Sequence, residues 1–277
     1  MAGVLYLVAT PIGNPGDITA RAVDALRSAS VVAVEDTRSA RTLFRRLGVS
    51  PARVVSYHEH NERARAAWLI ERLRAGEDVA LVPEAGTPLV SDPGFRLVRA
   101  AVDEGISVVA LPGASAVLAA LSASGLPPDR FSFVGFLPRQ RAARVAALAE
   151  LAGRPETLVA FEAPHRILES LEDAQAALGD RRAALGVNLT KPTERILRGT
   201  LSELLAELGS WEPVRGEMTV VFEGATAPPP ELDPSVDDAI RALLTAGLGP
   251  RAIRDALAPV VDAPKATIYN RAVELSR

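Results

Sequence analysis

The chain has no cysteine among its 277 residues, and its aromatic content is only 4%. Without thiols it cannot form disulfides, a thiolate metal site or a cysteine nucleophile, which fits a reducing compartment such as the cytosol. Hydrophobic residues nevertheless make up 48% of the chain. The core must therefore be built mainly from Val, Leu, Ile and Ala, which favours an α/β fold over an aromatic-rich β-sandwich.

Long apolar runs are also missing. No stretch approaches the roughly 18 apolar residues of a membrane span, so we expect a cytoplasmic protein without a membrane segment. The apolar run near Met1 ends at Pro11 and carries no basic residue, which predicts a first strand rather than a signal peptide. The net charge of −3 excludes a generally basic nucleic-acid coat but permits a local basic patch.

Short β-branched runs alternate with amphipathic segments in the first part of the chain, which predicts βαβ units around a mainly parallel sheet. We assign residues 1–124 to an N-terminal α/β lobe. Its strands are expected to be buried on both faces. The five predicted strands are Val4 to Ala9, Val31 to Glu35, Val54 to Tyr57, Val79 to Pro83 and Ser107 to Pro112.

A Gly-Leu-Pro-Pro-Asp turn from Gly125 to Asp129 interrupts this pattern, and a second series of strands follows. We assign residues 125–226 to a C-terminal α/β lobe with a mixed sheet. The predicted strands are Phe131 to Leu137, Leu158 to Ala163, Ala183 to Leu189, Ile196 to Gly199 and Met218 to Glu223.

The last part of the chain begins with a proline-rich run from Ala227 to Glu231, which predicts a stiff linker over residues 227–234. Residues 235–277 are predicted to form a small helical appendage, with Pro234, Pro250 and Pro264 at first helical positions. Two interpretations stay open, a helix-turn-helix-like unit and a plain packing or dimerisation appendage.

Polar and glycine-containing segments follow the predicted strands of the first lobe. In open α/β sheets, ligands bind at the carboxyl ends of the strands, so these loops are the expected binding site for a small polar cofactor. The chain has neither a G-x-G-x-x-G after the first strand nor a G-x-x-x-x-G-K-[ST] motif. The sequence therefore argues against an ordinary dinucleotide-binding site and against a P-loop.

Two of these loops carry charged side chains. Glu35, Asp36 and Arg38 could orient a hydroxyl and hold a phosphate, although Asp36 could equally be a helix N-cap. His58 and Asn61 are predicted to contact a polar substrate. The spacing of His58, His60 and Glu62 would suit a metal site, but no further strong ligand occurs at suitable spacing, so we predict no metal site.

The second lobe offers further candidates for binding an anion. His165 and Arg166 open a predicted helix after a strand, and Lys191 follows another strand. Arg139, Arg141 and Arg144 occur in a segment without acidic residues, and together with Arg181 and Arg182 they could supply phosphate contacts or simply form a solvated face.

Read in order, these segments resemble the ribosomal RNA small subunit methyltransferase I family. The resemblance runs from about residue 4 to residue 224, and its short motifs are specific because of their order and spacing. They are Leu5-Tyr6-Leu7-Val8-Ala9-Thr10-Pro11-Ile12-Gly13-Asn14, Glu35-Asp36-Thr37-Arg38, His58-Glu59-His60-Asn61-Glu62, Ala85-Gly86-Thr87-Pro88, Ser91-Asp92-Pro93-Gly94, Leu111-Pro112-Gly113, Gly135-Phe136-Leu137-Pro138, Pro164-His165-Arg166, Leu189-Thr190-Lys191 and Gly216-Glu217-Met218.

The resemblance implies the two-lobed tetrapyrrole methylase-like fold of class III methyltransferases and a homodimer. It also implies S-adenosylmethionine as cofactor, bound in the cleft between the two lobes, and 2′-O-methylation of a cytidine ribose in 16S rRNA of the small ribosomal subunit. The cofactor-binding residues it implies are Pro11, Ile12, Gly13, Glu84, Ala85, Gly86, Thr87, Pro88, Val90, Ser91, Gly113, Ser115, Ala116, Leu189 and Thr190.

We assign catalytic roles to Asp36, Arg38 and Lys191, with Asp36 orienting the 2′-hydroxyl or accepting its proton. The chemistry requires alignment of the ribose oxygen with the methyl group and removal of a proton, and it requires no metal. The predicted substrate-binding residues are Glu35, His58, Asn61, His165, Arg166, Arg139 and Arg141.

The chain departs from the family pattern at three places. Glu84 stands where the family usually has Asp, Ala114 where it often has Pro, and Val187-Asn188 where it usually has Arg-Glu. Two other functions stay open. A methylase of corrinoid or porphyrin intermediates would typically begin with a Gly-x-Gly-Pro-Gly-like loop, and a non-catalytic rRNA-binding assembly factor would bind the cofactor without transferring methyl.

Overall fold

The computed structural model describes residues 1–211, 213–226 and 232–276 of the chain. The chain divides into two compact units, Met1–Gly224 and Ala225–Arg277. All ten predicted strands are confirmed within the first unit, each to within about two residues at its ends. Among the described residues, no helix combines the length and apolar character needed to cross a membrane.

The first sheet is wholly parallel, and its elements are β1 Leu5–Val8, α1 Ala20–Ser28, β2 Val31–Val34, α2 Thr37–Leu47, β3 Val54–Ser56, α3 Glu62–Arg74, β4 Val79–Val82, α4 Phe95–Asp103, β5 Val108–Leu111 and α5 Ala116–Ser124. The strand order is β3-β2-β4-β1-β5. Strands β2 and β4 are fully buried, whereas β1 and the edge strands β3 and β5 are only partly buried, so the expectation of burial on both faces holds for β2 and β4 alone.

Helices cover both faces of this sheet. Leu26 of α1 and Phe44 of α2 pack in one apolar cluster, and Leu69 of α3 and Leu97 of α4 pack in another. Strands β1 and β4 are neighbours in the sheet, yet the chain leaves them toward opposite faces through α1 and α4. A crevice therefore opens where these two strands end, as expected at a topological switch point.

The elements of the second sheet are β6 Phe131–Phe136, α6 Arg141–Leu151, β7 Thr157–Glu162, α7 Ile167–Leu178, β8 Arg182–Val187, β9 Arg195–Thr200, α8 Leu201–Leu208 and β10 Met218–Phe222. The strand order is β6-β7-β10-β8-β9, and the sheet is mixed, as predicted, because only β6 and β7 run parallel. Helices α6, α7 and α8 contribute to a core on one face, and α5 packs on the other face with Ile12.

The second unit contains α9 Pro234–Thr245, α10 Pro250–Leu257 and α11 Lys265–Leu275. Ile240, Ile253 and Ile268 are its buried apolar centre. Pro234 and Pro250 occupy first helical positions as predicted, but Pro264 is the N-cap of α11. The predicted linker falls largely on residues 227–231, which lie outside the described residues.

A buried ion pair holds the start of α6 to α7. Arg144 is fully buried and contacts Asp173 at 2.7 Å and Glu169 at 3.1 Å. Burial alone would raise the pKa of Asp173, but hydrogen bonds from Arg141 and Arg144 outweigh it and lower the pKa. Arg141 and Arg144 of this segment therefore hold α6 against α7. The idea that Arg144 binds phosphate is wrong, because its side chain is fully buried in this ion pair.

Replacing Arg144 should destabilise this lobe strongly. We expect Arg144→Ala to lower the free energy of unfolding by about 3–5 kcal/mol, because Asp173 would keep a buried charge without its partner. Arg141→Ala is the matched control, because its largely exposed side chain contacts the same carboxylate, and it should cost at most about 1 kcal/mol. Urea denaturation at pH 7 measures both.

Equal losses in the two variants would contradict this account. The double variant Arg144→Met with Asp173→Asn removes both buried charges, and we expect it to recover most of the stability. It also keeps the test usable if Arg144→Ala does not fold.

Candidate active site at the carboxyl end of the parallel sheet

The crevice is bridged at its base by Thr10 and Gly86, which follow β1 and β4. Their backbones exchange two hydrogen bonds of 2.9 and 3.0 Å. Gly86 has a φ of +80°, a conformation that favours glycine, and the methyl of Ile12 would lie 3.3 Å from any Cβ added there. The two loops are therefore held together at the point where the chain paths diverge.

A cavity of about 330 Å³ opens above this bridge, and both sheets contribute to it. Its volume lies at the lower end of the range typical of small-molecule sites. The lining residues are Ile12, Ala85, Val90, Ser91, Asp92, Ala116, Phe136, Phe161, Glu162, Ala163, Pro164, Gly216, Glu217, Met218 and Thr219.

Five of the predicted cofactor residues line this cavity. They come from the loops after β1, β4 and β5, so three loops that are distant in sequence meet at one place. The five are Ile12, Ala85, Val90, Ser91 and Ala116.

Other predicted cofactor residues shape the loops around the cavity. The hydroxyl of Thr87 donates to the carbonyl of Ala114 at 3.1 Å, and the Ser115 side chain caps α5. Gly113 lies so close to Ala9 that an added Cβ would be 2.8 Å from the Ala9 methyl. Pro88 is buried in the same region, and Glu84 is exposed.

The loop after β1 also meets the turn that follows β8. The Oγ1 of Thr190 accepts a 3.0 Å hydrogen bond from the amide of Asn14. A Cβ on Gly13 would lie 2.5 Å from the Lys191 side chain and 2.8 Å from the carbonyl of Leu189. Pro11 is half-buried in this loop. The family-implied residues of both lobes are thus brought into contact here.

Carboxylates gather where β2 and β4 end. Burial, followed by the charges of Glu35 and Glu84, raises the pKa of Asp92 to about 7. The pKa of Glu35 is also raised, first by burial and then by Glu84, while the charge of His58 opposes the shift. Within the described residues the Asp92 carboxylate has no hydrogen-bond partner, and it borders the cavity. Such a group suits proton transfer near neutral pH.

Asp36 and Arg38 sit at the start of α2, beside this cluster. The Asp36 carboxylate accepts a 2.6 Å hydrogen bond from the Arg38 amide, so Asp36 is the N-cap of the helix, one of the two roles considered for it. Both side chains are exposed. A catalytic role for either residue stays a prediction.

The loop after β3 is held by its own polar side chains. Asn61 donates to the carbonyl of Ser56 at 3.2 Å and contacts Nε2 of His58 at 3.1 Å, while Nδ1 of His58 is buried without a partner among the described residues. Glu62 accepts from the Tyr57 hydroxyl and from the amide of Gly94. Asn61 thus shapes the loop, and substrate contacts by His58 and Asn61 stay predictions.

In the second lobe, the side chain of Arg166 is largely buried. Its guanidinium lies 2.5 Å from the buried carboxylate of Glu162, and it also donates to the carbonyl of Leu137. The pairing with Glu162 occupies part of the guanidinium, and substrate binding by Arg166 stays a prediction. His165 is exposed beside it and keeps its predicted role.

The remaining arginines differ in their availability. Arg139 is exposed, Arg141 pairs with Asp173 at 3.0 Å, and Arg181 donates to the carbonyls of Leu178 and Ala152. Arg141 and Arg181 thus fix neighbouring helices, and only Arg139 and Arg182 of the predicted basic segments are exposed without an ion pair to a described carboxylate.

The departure at Asn188 has a local structural basis. Asn188 has a φ of +52°, which asparagine tolerates better than most residues. Its side chain accepts from the amide of Glu217 at 3.1 Å and donates to Thr193. Lys191 completes this turn, because its ammonium lies 2.6 Å from the Glu217 carboxylate at the cavity wall.

Sequence reasoning missed several lining residues, above all Asp92, Glu162 and Phe136. Phe136 is 57% exposed and contacts Phe161 edge-on with ring centroids 5.4 Å apart. Both Asp92 and Phe136 lie in the motifs that carry the family resemblance, and Asp92 also lies in a loop after a predicted strand, so a signal for them was available. What the sequence could not reveal is that Asp92 is half-buried near two other carboxylates.

The raised pKa of Asp92 predicts a pH-dependent effect on stability. A carboxyl that holds its proton more tightly in the folded state loses stability as pH rises from about 4 to about 7. Asn cannot ionise, so Asp92→Asn should stabilise the protein relative to wild type at pH 8 and much less at pH 5. Allowing for partial exposure, we expect a difference on the order of 1 kcal/mol.

Urea denaturation of both proteins at the two pH values measures this difference. Asp103→Asn, on the exposed surface of α4, serves as the control and should show little change between them. A stabilisation by Asp92→Asn that is equal at pH 5 and pH 8 would contradict the assignment.

Comparison with known proteins adds to this geometry. Residues 4–205 match the family model described as Tetrapyrrole (Corrin/Porphyrin) Methylases. The ribosomal RNA small subunit methyltransferase I of Micromonospora olivasterospora is 52% identical over 98% of this chain and 86% of its own length. The protein of the same name from Mesorhizobium japonicum is 45% identical over 98% of this chain and 92% of its own length.

A solved structure with the same fold contains a ligand. It is the uroporphyrin-III C-methyl transferase of Thermus thermophilus in complex with S-adenyl homocysteine. It is 26% identical to this chain, has a TM-score of 0.56, and the match covers 80% of this chain and 97% of that one. The order of the motifs, the two-sheet fold and the close relatives agree, and the chain belongs to the ribosomal RNA small subunit methyltransferase I family.

Proposed function

We propose that the protein transfers a methyl group from S-adenosylmethionine to the ribose 2′-oxygen of a cytidine in 16S rRNA of the small ribosomal subunit. The single observation that carries the proposal is the cavity, which joins the family motifs of both lobes and is bordered by Asp92, a carboxylate suited to accept a proton. The names of the relatives, which describe a small subunit rRNA methyltransferase, support the substrate.

The residues present fit S-adenosylmethionine. When bound, this cofactor supplies an electrophilic methyl group on a positively charged sulfur. The cavity has a largely apolar wall from Ile12, Val90 and Ala116, and carboxylates at Asp92 and Glu162. A Cβ at Gly13 or Gly86 would meet atoms of neighbouring loops, so glycine at these positions lets the loops around the cavity pack closely together. The other residues proposed to contact the cofactor are those implied by the resemblance.

Removal of the ribose proton requires a base at the cavity. Asp92 is our first candidate, because it borders the cavity and has no hydrogen-bond partner among the described residues. Asp36 remains the second candidate, although its carboxylate also caps α2. Burial, and to a lesser extent the charges of Glu35 and Glu84, raises the pKa of Asp92 to about 7, so its basic form becomes abundant only near neutral pH.

We assign the contacts with the RNA to exposed side chains near the carboxyl ends of the strands. Arg38, Arg139 and His165 are exposed, and Lys191 is partly exposed beside Glu217. Guanidinium groups suit the bidentate binding of phosphates. His58 and Asn61 are also proposed to contact the RNA, because His58 lies close enough to Glu35 to affect its pKa.

We extend the proposal to a cytoplasmic homodimer that acts on assembled small subunits, as the family resemblance implies. Phe95 and Leu118 are large apolar side chains that are 69% and 52% exposed, and they offer surface for a second copy. A non-catalytic assembly factor is the main alternative, and it would bind the cofactor and the subunit without transferring methyl.

Methyl transfer to small ribosomal subunits from cells lacking this protein tests the proposal directly. With labelled S-adenosylmethionine, we expect one 2′-O-methylated cytidine in 16S rRNA, located by nuclease digestion and mass spectrometry. Cofactor binding by calorimetry without any transfer would instead support the assembly factor. Methylation of a tetrapyrrole but not of RNA would point to the corrinoid or porphyrin alternative.

Two isosteric variants separate the candidate bases. We expect Asp92→Asn to lower kcat by about 10²–10⁴-fold and to abolish the rise of kcat/KM with pH through about 7. Asp36→Asn should stay within a few-fold of wild type, since asparagine is an equally good N-cap. Calorimetric affinity for S-adenosylmethionine distinguishes a lost base from a lost cofactor contact.

The opposite pattern, with Asp36→Asn inactive and Asp92→Asn active, would transfer the role to Asp36. A parallel fall in cofactor affinity and turnover for Asp92→Asn would make Asp92 a cofactor ligand.

A further inference from the structure

Helix α2 carries a concentration of positive charge that the overall composition does not suggest. It contains Arg38, Arg41, Arg45 and Arg46 and no acidic residue, although the chain as a whole has a net charge of −3. All four arginines are exposed. Within the described part of the chain, none of them forms an ion pair.

The spacing of these residues places Arg38, Arg41 and Arg45 along one side of the helix, three and then four positions apart. They span about 10 Å, which is the rise of roughly three nucleotides in one strand of a duplex. Their line starts at the sheet edge, where Arg38 follows the carboxylates of Glu35 and Asp36, and runs away from the cavity.

Helix stability does not explain this arrangement. Like charges three or four positions apart destabilise a helix, and cations near its N-terminus oppose the helix dipole. Arg38 and Arg41 lie in the first half of α2, so their charges are unfavourable for the helix itself. Only Arg45 and Arg46, in the last turn, are placed favourably with respect to the dipole.

A surface depression of about 440 Å³ adjoins the second half of the helix. Arg41, Phe44 and Arg45 line it from α2, and Pro51 and Val54 line it from the start of β3. Since β3 is an edge strand, the depression lies at one side of the sheet. The depression leaves room beside two unpaired guanidinium groups.

We infer that α2 is a phosphate-binding ridge, on which Arg41 and Arg45 hold successive phosphates of an RNA strand that passes Arg38 at the active site. The inference rests on the proposed function, since it takes the RNA as the substrate of that site. Elsewhere, basic segments predicted to bind phosphate hold much of their charge in structural contacts, at Arg144, Arg166 and Arg181. On α2 the charges are unpaired and aligned, which is what a polyanion requires.

The test compares two double variants that lose the same charge. Arg41→Gln with Arg45→Gln removes the centre of the ridge, and Arg27→Gln with Arg130→Gln is the matched control. Arg27 is exposed in the last turn of α1, and Arg130 is exposed at the start of β6, whereas the cavity residue Phe136 lies at the end of β6. Arg27 pairs only with Asp24, at 3.7 Å on the exposed surface, and Arg130 forms no ion pair with a described residue. Unchanged thermal unfolding checks that both variants fold.

Binding to purified small ribosomal subunits is measured by filter binding from 50 to 200 mM salt. For the ridge variant we expect the slope of log K against log salt to become shallower by about 1.4 to 1.8, the effect of two lost phosphate contacts. Its KM for subunits should rise tenfold or more while kcat at saturation and the calorimetric affinity for S-adenosylmethionine stay within twofold. The control should match wild type in all four measurements.

A ridge variant with the wild-type salt slope overturns the inference, and so does a control variant that loses the same slope. The binding measurement needs no turnover, so failure of the proposed activity is recognised separately. A wild-type protein that binds subunits through the ridge but transfers no methyl supports the ridge and refutes the enzyme.

Discussion

The structure depends on one constraint, the divergence of the chain after two neighbouring parallel strands. Because β1 continues to one face of the sheet and β4 to the other, no helix covers the space between their ends. The Thr10 and Gly86 backbones close the base of this gap. The loops around it therefore do not have to create a crevice. They only need to line one, which small residues such as Ala85 and Ala116 do without filling it.

The second lobe supplies the opposite wall, and internal ion pairs keep that wall rigid. Arg166 with Glu162 fixes the end of β7, and Arg144 with Asp173 fixes α6 on α7. A close partner offsets the cost of burying each of these charges, and a charge left without its partner would destabilise the lobe. A sequence cannot distinguish such arginines from free ones, because both occur in polar segments near strand ends. This pairing limits what these two arginines can offer a polyanion, whereas the arginines of α2 form no ion pair within the described part of the chain.

Negative and positive side chains near the carboxyl ends of the strands thus serve two different functions. Carboxylates of Glu35, Glu84 and Asp92 gather at the strand ends, where burial and mutual repulsion raise the pKa of Asp92 into the physiological range. Arginines extend from the same edge along α2. Negative charge close to the cavity suits a cationic cofactor and proton removal, and positive charge farther out suits a polyanionic substrate.

The sequence by itself determined the ten strands, the mixed second sheet, the loops that carry the site and the family. It could do so because β-branched periodicity, glycine and proline positions and motif order are local properties. Only the tertiary structure decided the roles of particular side chains. The burial of Asp92 beside two distant carboxylates, the pairing of Arg166 with Glu162 and the lack of partners on α2 all depend on contacts between residues far apart in the chain. Solvent exposure and pairing arise from packing, and packing is not written in any short stretch of sequence.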